Sequence, residues 1–213
     1  MGIGLFAVVS ALSSDDANLP DQGNIQDIVG GDASGAAGDG AVAPPDTWPT
    51  GPKPVSIAVP RIDVDAPIVE LGLEPGTNTP AVPTTGYQAA WYDFNPAPGL
   101  GYNALFAGHV DWQTADHSPI PGVFYRLREL QIGDDITVTL EDGQAVHYRV
   151  TGNVAAKFND PNIVKAMAPT KKDVITILTC GGTWEPNPYE ENGGNYSHRI
   201  VVRAERVLSA GVG

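Results

Sequence analysis

Three residues stand where side-chain chemistry could be both held and reached. Cys180 closes the run Asp173-Val174-Ile175-Thr176-Ile177-Leu178-Thr179-Cys180 and is followed by Gly181-Gly182. With a side-chain period of two, Val174, Thr176, Leu178 and Cys180 share one face, so the thiol emerges where an apolar strand runs out into a glycine loop. A nucleophile fits there; so does a lone cysteine acting as a small core residue. His109 ends a comparable run, Asn103-Ala104-Leu105-Phe106-Ala107-Gly108-His109, and reads either as a site imidazole or as a satisfied core histidine. Arg199 heads Arg199-Ile200-Val201-Val202-Arg203-Ala204, where a cation is costly unless it meets a partner or sits at a solvated rim. The informative feature is the combination of a Cys, a His and an Arg, each at the tip of an apolar strand.

The other histidines are weaker candidates. His147 alternates outward in a hairpin pattern, His117 lies in a Ser/Pro/Asp loop, and His198 adjoins Arg199 in a supporting place at most. A competing pattern is His109-Val110-Asp111 with Asp116-His117, which offers two His and two Asp as zinc ligands for a metal-dependent hydrolase. A third reading is a non-enzymatic surface β module. With one cysteine, Cys180, the chain holds no intramolecular disulfide framework and no multi-cysteine zinc or iron–sulfur site.

These residues must be positioned by short strands. From residue 55 onward the chain shows alternating or wholly apolar runs separated by Gly, Pro and Asp turns, a pattern of an all-β barrel or sandwich. Strands are expected over 56–59, 68–73, 103–107, 135–140, 146–154, 174–178 and 199–207. One hairpin puts Ile136, Val138 and Leu140 on one face, turns at Asp142-Gly143, and returns with Val146, Tyr148 and Val150. Helical spacing is confined to 123–130 and 162–167.

At 213 residues and 22.3 kDa the chain has room for one ordinary domain with an appendage. A net charge of −13 with 12 Lys and Arg argues against nucleic acid, whose phosphates need clustered cations. Residues 1–50 carry Asp15, Asp16, Asp21, Asp27, Asp32, Asp39 and Asp46 and no Lys or Arg. Residues 13–54 therefore read as a disordered acidic Gly/Ala/Pro linker with too little apolar surface to offset the entropy of ordering it. Ahead of it, residues 1–12 form an apolar stub too short to span a bilayer and without a basic n-region. It reads either as a fraying terminal helix or, as the favoured expectation, as the end of an N-terminal membrane anchor whose beginning lies outside the sequence. Residues 55–208 are the expected domain.

At Thr176-Ile177-Leu178-Thr179-Cys180 the chain resembles the sortases, whose motif is Thr-Leu-X-Thr-Cys; Ile177 keeps the size and polarity of the usual Leu. Ala107-Gly108-His109 resembles the sortase catalytic-histidine segment. Gly122-Val123-Phe124-Tyr125-Arg126-Leu127 with Gly133-Asp134 resembles the helix and turn after that segment, and Arg199-Ile200-Val201-Val202 resembles the catalytic-arginine strand. The similarity is closest to classes E and F, on Gly108-His109-Val110-Asp111-Trp112 and Cys180-Gly181-Gly182.

The resemblance implies a closed β-barrel of about eight strands with short helices in its connections, held at the extracellular face of the membrane by a single N-terminal span. It also implies a cysteine transpeptidase that cuts a Leu-Pro-X-Thr-Gly-like sorting signal of surface proteins between Thr and Gly. The acyl group then passes to an amine of a cell-wall precursor or a pilin lysine, with no cofactor and no metal. Cys180 would be the nucleophile, His109 the proton carrier and Arg199 the holder of substrate and developing charge, with Thr179 assisting at the oxyanion. Loops 91–101 and 183–197, with Trp91, Trp184 and Tyr196, are the candidates for reading the signal; Trp184 and Tyr196 either line the groove or cap the barrel. Thiolate and imidazolium must coexist, although free groups near pKa 8.5 and 6.5 favour the neutral pair. Either Arg199 lowers the thiol pKa or a small fraction of the enzyme is active.

Overall fold

The computed structural model describes residues 19–29, 47–113, 119–189 and 193–208. Among these the elements run β1 (Asp21–Gln22), α1 (Ile25–Val29), β2 (Pro54–Val59), β3 (Val64–Leu71), β4 (Ala89–Tyr92), β5 (Asn103–Ala107), β6 (Asp111–Gln113), β7 (Pro119–Pro121), β8 (Asp135–Leu140), β9 (Ala145–Lys157), α2 (Asn162–Met167), β10 (Val174–Pro186) and β11 (Gly194–Arg206). Neighbouring strands follow the order β9-β11-β10-β5-β4-β3-β2-β8, and β8 pairs back to β9. That closes an eight-stranded barrel and removes its free edges. β1 is a short addition to β9, and β6 and β7 form a separate ribbon.

Side-chain alternation explains the core. Ile57, Ala66, Phe106, Ile136, Val138, Tyr148, Ile175, Ile177, Ile200 and Val202 belong to one buried cluster that fills the barrel. Fully burying a side chain such as Phe106 contributes roughly 1.5–3 kcal/mol. The alternate residues Tyr92, Leu105, Val154, Leu178 and Val201 form a second cluster outside, covered by Ile25 and Ile28 of α1 and Ile163 and Ala166 of α2. Strands buried on both faces read as unbroken apolar runs, as 174–178 does.

The hairpin joins β8 to β9 at the expected residues, with Leu140 N–H donating to the Gln144 carbonyl at 2.8 Å. The helix expected over 123–130 is instead a string of turns ending in a 3₁₀ turn at Leu127–Glu129. Its apolar residues recur every three positions, the 3₁₀ period.

The acidic segment also differs from a structureless linker over its described part. Asp21 and Gln22 pair with Val154 and Asn153, and α1 buries Ile25 and Ile28. Two isoleucines one helical turn apart supply the apolar face that the surrounding composition lacks. The apolar stub lies outside the described residues; among those described, no helix is long and apolar enough to cross a membrane.

Buried amides fix β5 against β10. Asn103 donates through Nδ2 to the carbonyls of Ala166 at 3.0 Å and Ala168 at 2.9 Å. Its Oδ1 accepts from Thr176 Oγ1 at 2.7 Å. Each of these groups would be costly to bury unpaired, so the network sets the register of the two strands.

Candidate active site

β5 and β10 are parallel, in a register running from Val174 opposite Asn103 to Leu178 opposite Ala107. Both strands therefore deliver their next residues to the same end of the barrel. Gly108 N–H donates to the Leu178 carbonyl at 3.2 Å, and Thr179 Oγ1 donates to the Gly108 carbonyl at 2.8 Å. His109 and Cys180 are the next residues along each strand. On the other side of β10, β11 runs antiparallel and places Arg199 directly opposite Cys180. Ladder register thus sets Cys180 opposite Arg199, and the Thr179–Gly108 bond holds the segment that leads into His109, two residues past the end of β5, against β10.

Two expectations change in detail: Arg199 does not head its strand, because β11 begins at Gly194, and the thiol does not close its own. Cys180 is not at a strand end, because β10 continues to Pro186 and the ladder is interrupted by a register shift between Gly181 and Trp184. Gly182 takes φ 76, and a Cβ there would stand 2.2 Å from Ser197 Oγ. Only glycine fits this irregularity, which bends the strand beyond the thiol.

His109 Nε2 lies 2.8 Å from the Pro83 carbonyl. A carbonyl only accepts, so Nε2 carries its hydrogen and Nδ1 is the nitrogen left for chemistry. The Trp112 ring sits 4.7 Å from the imidazole centroid. Behind His109, Phe124 N–H donates to its carbonyl at 3.0 Å and Gly122 N–H to the Val110 carbonyl at 2.9 Å, so the turns after β7 brace the histidine from below.

The half-buried Arg199 is held by neutral acceptors: Asn195 Oδ1 at 2.9 Å from Nη2, and the carbonyls of His198 at 3.0 Å and Tyr196 at 3.3 Å from Nη1. These fix the guanidinium without cancelling its charge. The Cys180 thiol is pushed above its usual range by burial; Arg199 pulls it down and Asp111 pushes it further up. Burial outweighs Arg199, so the neutral thiol predominates at neutral pH.

The other expected residues divide. Thr179 is buried, and its hydroxyl proton is taken by Gly108, so it ties the Cys180 and His109 segments together. Tyr196 donates to Asp111 Oδ2 at 2.5 Å and stacks edge-on against Trp184, centroids 5.2 Å apart; this pair stands beside the site. Burial, and the Asp111 carboxylate next, push the Tyr196 phenol well up. Trp91 is a correction: it is 6% exposed within the barrel core and donates to the Pro96 carbonyl at 3.3 Å, because alternation turns it inward with Ala89.

His147 is exposed, 3.1 Å from Thr137 Oγ1, and His198 Nδ1 is 2.8 Å from Ser197 Oγ. Of the proposed zinc run, Asp116 and His117 lie outside the described residues, and Asp111 is engaged by Tyr196. Among the described residues no group of three potential metal ligands exists.

Sequence reasoning missed Pro83, whose contribution is a backbone carbonyl and carries no residue-type signal. It also missed that Asp111 is the partner of Tyr196, 85 positions away.

The Sortase domain family matches residues 57–207. Sortase A from Corynebacterium diphtheriae, solved as a lid mutant, is 27% identical with a TM-score of 0.51, over 75% of this chain and 73% of that one. Sortase C1 from Streptococcus suis is 18% identical with a TM-score of 0.51, over 75% of each chain. Sortase C2 of pilus island 1 of Group B Streptococcus is 24% identical with a TM-score of 0.50, over 72% of this chain and 73% of that one. At such identities the last two speak for the fold alone. No curated protein matches the chain. With a family match across most of its length and a single cysteine set in the barrel wall beside a histidine and an arginine, the chain belongs to the sortases, a family of cysteine transpeptidases.

Proposed function

We propose that this sortase cleaves a Leu-Pro-X-Thr-Gly-like signal between Thr and Gly, with Cys180 as nucleophile, His109 as proton carrier and Arg199 as the holder of substrate and developing charge. The observation that carries the reading is the cross-strand pairing of Cys180 with Arg199, joined to the Thr179–Gly108 bond that keeps the His109 segment beside it.

The Cys180 thiolate attacks the Thr carbonyl carbon and the C–N bond to Gly breaks. The Gly amine leaves with a proton from the His109 imidazolium, and a thioester remains on Sγ. An acceptor amine then attacks the thioester carbonyl, His109 takes up its proton, and Cys180 departs as thiolate. Arg199 presents fixed N–H donors to the carbonyl oxygen as it gains negative charge. Because burial raises the thiol pKa, the thiolate–imidazolium pair is a minority form, and its population shapes the rate-versus-pH curve.

Thr179 serves by alignment, since its hydroxyl is committed to Gly108. Trp184 lines the signal-reading groove, with the buried Tyr196 packed behind it. The acceptor is a cell-wall precursor amine or a pilin lysine. Residues 108–112 and 180–182 favour the class E/F group, and the apolar run at 3–12 favours attachment at the extracellular face of the membrane.

Intact-mass spectrometry of the chain with a Leu-Pro-X-Thr-Gly peptide, with and without an amine, tests the reading. A mass gain equal to the acyl fragment, lost on adding amine and missing in Cys180→Ala, is the expected result. A folded chain with an alkylatable Cys180 that never acquires the acyl mass from any signal variant would overturn it.

A further inference from the structure

Arg128 places a half-buried cation beside the nucleophile. It lines, with Val110, Phe124, Tyr125, Cys180 and Gly181, a cavity of about 250 Å³ including its open mouth. Its guanidinium carbon lies over the Tyr125 ring, 5.0 Å from the centroid. Arg126, two positions earlier, is committed to Asp63 at 2.6 Å and Glu129 at 2.9 Å. Arg128 forms no ion pair among the described residues, although the chain has 25 Asp and Glu against 12 Lys and Arg.

A guanidinium laid on an aromatic face keeps its N–H edge, a planar fork that matches a carboxylate. Among the described residues Arg128 is the one charged side chain of the cavity, and Val110, Phe124 and Ile200 give it an apolar wall. A charge partly withdrawn from water in such a wall gains most from an anion that arrives with the substrate.

Two substrates reach Cys180 in the proposed reaction. Arg199, which holds the donor carbonyl, and Trp184, which reads the signal, are not in the lining of this cavity. Val110 follows His109 directly, and Phe124 N–H donates to the His109 carbonyl at 3.0 Å. The cavity therefore borders the segment whose imidazole takes the proton of the incoming amine. We propose that Arg128 pairs a carboxylate on the acceptor, so that the amine resolving the thioester belongs to an amino acid with a free carboxylate close to its nitrogen, and not to a protein lysine. The nitrogen attacks the thioester carbonyl carbon, the C–S bond breaks, His109 takes the amine proton, and the carboxylate stays on Arg128. The choice of acceptor rests on the function proposed above; an anion site beside Cys180 does not.

The test compares the full-length chain with Arg128→Met, which keeps the length of the stem, and Arg128→Lys, which keeps the charge. Thermal melting verifies that both fold. The first readout needs no sorting signal: the rate at which Cys180 is modified by the anionic sulfonatoethyl methanethiosulfonate, divided by the rate with neutral methyl methanethiosulfonate. The second is the rate of transfer from a Leu-Pro-X-Thr-Gly peptide to glycine, divided by the rate to glycinamide, so that differences between the two amines cancel between variants. Both ratios should fall roughly tenfold or more in Arg128→Met, and Arg128→Lys should keep most of each. Ratios that are the same in the wild-type chain and Arg128→Met would overturn the anion site. A fall in the reagent ratio without a fall in the glycine ratio would overturn the acceptor assignment. Should no chain turn over any peptide, the sorting reading fails, and the acceptor assignment with it; the reagent ratio alone then sustains or overturns the anion site.

Discussion

Cys180 and Arg199 face each other across the β10–β11 ladder, so the spacing of thiol and guanidinium is set by backbone hydrogen bonds. A cation in that place opposes the burial that keeps the thiol neutral. Arg199→Ala is expected to move the pH profile of Cys180 alkylation to higher pH. It should also lower kcat by on the order of 10²–10³, as for loss of one donor to a developing oxyanion. Alkylation by iodoacetamide across pH 6–11 measures the first effect. An unshifted profile would contradict the electrostatic role.

Asp111 acts on the thiol with the opposite sign. Asp111→Asn keeps an acceptor for the Tyr196 hydroxyl and removes the negative charge, so the alkylation profile should move to lower pH. Opposite displacements in the Asp111 and Arg199 variants, measured side by side, separate charge effects from a general loosening of the site.

Thr179→Val replaces a hydroxyl by a methyl and leaves the Gly108 carbonyl without that donor. Unfolding in urea should show a loss of about 1–3 kcal/mol. Because the His109 segment is then free to shift, kcat should fall by roughly 10- to 100-fold while the alkylation profile of Cys180 stays in place. Thr179→Ser should restore both.

Alkaline pH should unfold the barrel through its buried phenols. Tyr92 is pushed up to about 12 by burial, and burial likewise pushes Tyr148 upward. The folded state favours the protonated phenol, so this stability is full below the ordinary value near 10 and is lost as pH rises through the folded value. Tm should hold to about pH 10 and drop above it. Tyr92→Phe should soften the drop, at a cost of about 1 kcal/mol at neutral pH for its bond to the Ala81 carbonyl.

Much of the fold and the site was legible in the chain because the physics involved is local. Period-two alternation in 136–150 marked both faces of a hairpin, and the unbroken run at 174–178 marked a strand covered on both sides. The apolar runs that end at Cys180 and His109 and begin at Arg199 drew attention to the candidate site, although β10 and β11 both continue past the thiol and the guanidinium. Trp91 misled because a tryptophan among loop residues looks the same whether it faces a groove or the core; only the pairing of β4 with β3 and β5 decides. Pro83 was invisible because its carbonyl acts. The packing of residues 19–29 on the barrel was hidden because an Asp- and Gly-rich composition averages over Leu19, Ile25 and Ile28, which matter singly.

The bond from Thr179 to Gly108 spans 71 positions of chain, and the parallel pairing that it extends cannot be made by a hairpin. Long-range parallel contacts carry a large loop-closure cost and form slowly. Cys180 therefore meets Arg199 through the pairing of consecutive strands, whereas the segment leading to His109 reaches it only across this long closure.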